Sequence, residues 1–98
     1  MKGYKVWLGE NSTEEQFREI IKLFEQLGYD VQTSKGWNEH RLSTEKLPHN
    51  DCIYANTNGL VEIHYHKESF NRKDLKLITV EQLRTMCNNI NLLKICLN

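Results

Sequence analysis

The chain has no net charge, because thirteen lysines and arginines balance thirteen aspartates and glutamates over 98 residues. A neutral molecule has no global field with which to hold a polyanion, so the usual driving force for non-specific nucleic-acid binding is missing. Long apolar runs are missing too. No stretch approaches the ~20 residues that a membrane helix needs. Met1-Lys2-Gly3-Tyr4-Lys5 runs into a strand-like segment without the apolar region of a signal peptide. The expectation is a cytoplasmic protein with no membrane contact. Cysteine is scarce and odd in number: Cys52, Cys87 and Cys96 form neither an even disulfide set nor a C-x-x-C metal spacing. That suits a reducing compartment and thiols that pack as small core hydrophobes. Gly9, ahead of the first expected helix, stands alone without G-x-G-x-x-G or the Walker pattern, so no phosphate loop is indicated. Proline occurs once, at Pro48.

What is present fits one ordinary globular domain spanning residues 1–98. The chain is long enough for one core and too short for two, and 39% hydrophobic with 27% charged residues is an average balance. Tyr4-Lys5-Val6-Trp7-Leu8 alternates like a strand, with Tyr4, Val6 and Leu8 on one face and Lys5 and Trp7 on the other. Ser12-Thr13-Glu14-Glu15 reads as a capping box that starts a helix. Phe17, Ile20, Ile21, Phe24 and Leu27 form its apolar stripe, and Gly28 ends it. Tyr29 to Thr33 reads as a strand returning beside the first, and residues 34–50 as a long loop holding Trp37. Cys52 to Ala55 and Leu60 to His66 flank Asn56-Thr57-Asn58-Gly59, so Asn-Gly closes a hairpin that needs positive φ. Lys76-Leu77-Ile78 is strand-like, and Thr79-Val80-Glu81-Gln82 is a second capping box. Residues 90–97 fit either an extension of that helix or a final strand. The fold class is α+β: a mostly antiparallel sheet of four to five strands with two helices packed on one face.

Function then falls to the sheet's other face. Alternation groups Trp7, Glu62, His64 and His66 there, a plausible partner surface or homo-oligomer interface. Trp37 either tucks against the core edge, the preferred reading, or stands out as an interface anchor. His64 and His66, at i and i+2, have the spacing to hold a divalent metal with His40, His49 or a carboxylate. Two histidines on a strand face are more often simple surface residues, so no metal and no cofactor are assigned. Asn38-Glu39-His40-Arg41 resembles an oriented base but reads as a solvated loop. Lys67, Arg72, Lys73 and Lys76 cluster near Tyr65 and Phe70, yet Glu68 and Asp74 dilute the basic excess that single-strand binding needs.

Lys5-Val6-Trp7-Leu8-Gly9, Leu27-Gly28-Tyr29, Ile53-Tyr54-Ala55-Asn56 through Gly59, and Leu77-Ile78-Thr79-Val80-Glu81-Gln82-Leu83 stand in an order that resembles small accessory proteins encoded by tailed bacteriophages. The resemblance spans about residues 4 to 87 and carries over no catalytic residue. It implies a non-enzymatic host-interaction protein of the host cytoplasm, in particular an inhibitor of a bacterial antiphage defence protein. Two other readings compete. One is a sponge that sequesters a nucleotide immune signal in a pocket built with Trp7, Trp37, Tyr65 and Arg72. The other is a metal-dependent enzyme centred on His64 and His66.

Overall fold

The computed structural model describes residues 1–9, 13–31, 51–65 and 71–97, and at 51, 64, 65 and 93–97 it describes the backbone alone. The elements run β1 (Tyr4–Leu8), α1 (Glu14–Gln26), β2 (Asp51–Ala55), β3 (Val61–Tyr65), β4 (Lys76–Leu77) and α2 (Val80–Leu97). The strands form one sheet in the order β3-β2-β1-β4. Pairing is antiparallel except between β1 and β4, which run parallel. This is the expected α+β architecture, with four strands.

Pleating sends alternate residues to opposite sides of the sheet. Val6, Leu8, Ile53, Ala55, Val61 and Ile63 point to one side. There they meet Phe17, Ile20, Ile21 and Phe24 of α1 and Leu83 of α2, so both helices cover the same face. Burying side chains of this size contributes roughly 1.5–3 kcal/mol each before entropy is counted, so this layer holds most of the apolar stabilisation. Between the helices, the Cys87 thiol donates to the Leu23 carbonyl at 3.3 Å. Outside, Arg84 of α2 grips both carboxylate oxygens of Glu19 of α1 through one guanidinium edge, Nη2 at 2.7 Å and Nε at 3.0 Å.

The helix signals resolve unequally. The α1 cap is Thr13, not Ser12: its hydroxyl accepts from the Gln16 N–H at 3.2 Å, and Phe17 N–H donates to the Thr13 carbonyl. At the other end Gly28 takes φ +97°. Its N–H donates to the Glu25 carbonyl and that of Tyr29 to the Phe24 carbonyl, the double bond of a Schellman cap. The apolar contact that accompanies such a cap is present, the Phe24 and Tyr29 rings meeting edge to face at 5.6 Å. The second box forms as read: Gln82 N–H donates to Thr79 Oγ1 and Thr79 N–H to Gln82 Oε1. The helix it opens runs to Leu97, so 90–97 extends the helix. No glycine or proline interrupts Val80–Leu97.

A further expectation is corrected. Tyr29 to Val31 does not return beside β1. Asp30 instead makes one parallel bridge with Leu60, its N–H donating to the Gly59 carbonyl and its carbonyl accepting from Val61 N–H. The Schellman turn throws the chain toward the hairpin end, and β2 and β4 already occupy both sides of β1. In the hairpin, positive φ falls on Gly59 alone, at +89°. Gly59 N–H closes on the Asn56 carbonyl and Asn56 N–H on that of Leu60, so the hairpin has a three-residue turn with a glycine bulge. Thr33 and the 34–50 loop lie outside the described residues. Among those described, no helix is long and apolar enough to cross a membrane.

Candidate interaction face

Register defines the face away from the helices. Trp7 and His64 stand on either side of Cys52, and Lys5 and Glu62 on either side of Tyr54. Leu77 of β4 lies beside Lys5. The middle of this face is closed: Cys52 and Tyr54 are buried and form a small second core with Leu75. Its margin is open, with Trp7 46% and Leu77 56% exposed. Among the described residues, Trp7 on its internal strand is the largest exposed side chain of the face.

Over the small core the chain from 71 to 75 crosses as a strap, fixed by Arg72. The Arg72 guanidinium lies 5.2 Å from the centre of the Tyr54 ring and donates to Asn56 Oδ1 at 2.8 Å. Two further bonds of 3.0 Å reach both oxygens of Asp74. Asn56 passes the connection on, its amide donating to Glu62 Oε2 at 3.0 Å. From β1, Lys5 Nζ reaches the Arg72 carbonyl at 3.2 Å. The strap is thus tied to β1, to β2 with its turn, and to β3. The hydrogen bond from Arg72 holds the Asp74 carboxyl below its ordinary range, and the same bond holds the guanidinium more firmly protonated.

The residues singled out in the sequence fare differently. Trp7 stands exposed on this face. Glu62 is on it by register, but its carboxylate is engaged by Asn56, which makes it a structural anchor. His64 occupies the register position opposite Cys52. His66 and Trp37 lie outside the described residues, as do His40, His49 and Lys67. Among the described residues no group of three or more His, Cys, Asp or Glu is gathered as metal ligands would be. Arg72, read as part of a basic cluster, turns onto Asp74 and Asn56, and among the described members of that cluster Lys73 and Lys76 are exposed. Asn56 and Leu75 carried no functional signal; the apolar Leu75 before the Lys76-Leu77 strand was the one available hint.

Comparison with family models, curated proteins and solved structures finds no match. The face therefore rests on its own geometry. Among the described residues it offers one exposed aromatic, Trp7, beside the floor tied by Arg72.

Proposed function

We propose that the protein acts by stoichiometric protein–protein contact through the sheet face that carries Trp7, as an inhibitor of a bacterial antiphage defence protein in the host cytoplasm. The observation that supports this reading is the exposure of Trp7 on an internal strand. Tryptophan dominates interface hot spots because one side chain removes a large area from water at small entropic cost. While the Arg72 connections hold, the floor beside Trp7 is already ordered, which lowers the cost of binding further. The defence target follows from the resemblance to phage accessory proteins. Arg72 weighs against the nucleotide sponge, since Asp74 and Asn56 already engage its Nε and Nη2.

The test is phage growth. The protein is expressed in hosts that each carry a single defence system, and each is challenged with a phage that the system restricts. Plaque formation restored in one host, with a defined complex between the chain and a component of that system, supports the proposal. Trp7→Ala should then lose at least about tenfold in affinity while Lys22→Ala stays within a factor of two or so. Restriction unchanged across the panel would overturn the defence reading. Equal losses from both variants would remove Trp7 from the contact.

A further inference from the structure

The sheet separates two cores of unequal size. Among the described residues, fourteen buried ones pack together on the helix side and three, Cys52, Tyr54 and Leu75, on the other. Local opening concentrates where few apolar contacts are buried and polar ties are near water. The strap fits that description, because Leu75 is its one buried apolar anchor and the rest of its hold is polar: Lys5 Nζ on the Arg72 carbonyl, Lys76 N–H on the Gly3 carbonyl, and the bonds of the Arg72 side chain. That side chain is 33% exposed and its Asp74 partner 52%. At the far end the hold changes character. Ile78 is buried in the large core and its N–H donates to the Lys5 carbonyl, after which Thr79 caps α2. The boundary between weak and strong attachment therefore falls between Lys76, whose N–H donates to the Gly3 carbonyl, and Ile78.

We infer that residues 72–76 form a latched cover that opens as a unit while the helix-side core stays folded, with Arg72 as the latch. The latch is assigned to this side chain because, among the described residues, it meets the Tyr54 ring, Asn56 and through Asn56 Glu62 at once. Opening lifts Leu75 from Cys52 and Tyr54 and frees the Gly3 carbonyl at the sheet edge, extending apolar surface from Trp7 across the same face. If that face is the contact proposed above, Arg72 sets how much of it a partner meets. That consequence rests on the contact reading, whereas the opening does not.

Amide hydrogen exchange on the isolated full chain reads the opening residue by residue. In Arg72→Ala the Leu75 and Lys76 amides, which donate to the Arg72 and Gly3 carbonyls, should exchange about tenfold faster or more than in the wild type. Ile78 and Val61 should stay within about twofold. Arg72→Lys keeps the charge without the planar fork and should fall between; it serves if the alanine variant is too unstable to compare. Acceleration of all four amides by one factor would mean that Arg72 supports the whole fold, and no acceleration that it holds nothing. Either result overturns the latch. Neither bears on partner binding, which is measured separately.

Discussion

At the scale of single residues, Asn56 does the most for its size. Among the described residues it is the one buried polar side chain, 5% exposed, and both ends of its amide are used. Replacing it with alanine removes the acceptor of Arg72 and the donor to Glu62 together, so Asn56→Ala should cost about 1–3 kcal/mol. Urea unfolding followed by tryptophan fluorescence checks this, and a loss under roughly 0.5 kcal/mol would mean that water replaces both bonds. None of this was legible beforehand. Asn56 stands in Asn-Thr-Asn-Gly, where asparagine reads as turn chemistry, and its decisive partner lies sixteen residues on. Trp7 was legible, because strict alternation from Tyr4 to Leu8 assigns it a face once Val6 and Leu8 are taken as core. Glu62 was placed on the right face by the same rule, but a face does not say whether a carboxylate is free or engaged.

At the scale of elements, local signals succeeded where one reading satisfied them. Thr79 and Gln82 form both halves of their box. Ser12-Thr13-Glu14-Glu15-Gln16 offers two frames, Ser12 with Glu15 and Thr13 with Gln16, and pattern cannot choose between them. The frame is set by where the first helical bond closes, from Phe17 N–H to the Thr13 carbonyl. The segment after Gly28 was misplaced for a related reason: its residues suit a strand, but which neighbour they pair with depends on the exit direction of the cap. The intact box gives a clean prediction. Thr79→Ala should cost about 1 kcal/mol. Gln82→Ala should cost less, and the double variant less than the sum because each half supports the other. Additivity in a double-mutant cycle of denaturation midpoints would show that the two bonds act independently.

At the scale of the whole molecule, uneven burial on the two sides of the sheet shapes the response to pH. Glu19 and Asp74 are held below their ordinary values chiefly by hydrogen bonds from Arg84 and Arg72. The stability they add is present above the ordinary carboxylate range and fades as pH falls through their lowered values. Both pairs are well exposed, so water screens them and the acid limb should be shallow. Cys87 and Tyr29 behave oppositely. Both lie against the helix-side core, and burial is the first cause that raises each above its ordinary value, 9.0 for the thiol and 10.0 for the phenol. For a raised group stability is complete below the unfolded value and is lost as pH climbs toward the folded one, because the unfolded chain gives up its proton first. From these four groups, stability should decline faster above about pH 9 than below about pH 4. Denaturant midpoints measured from pH 3 to 11 test the asymmetry. Cys87→Ala assigns its cause: it lowers stability at neutral pH through lost packing, yet should remove the first part of the alkaline decline and leave the later part, which belongs to Tyr29. An alkaline limb of unchanged shape in that variant would show that the buried thiol does not drive it.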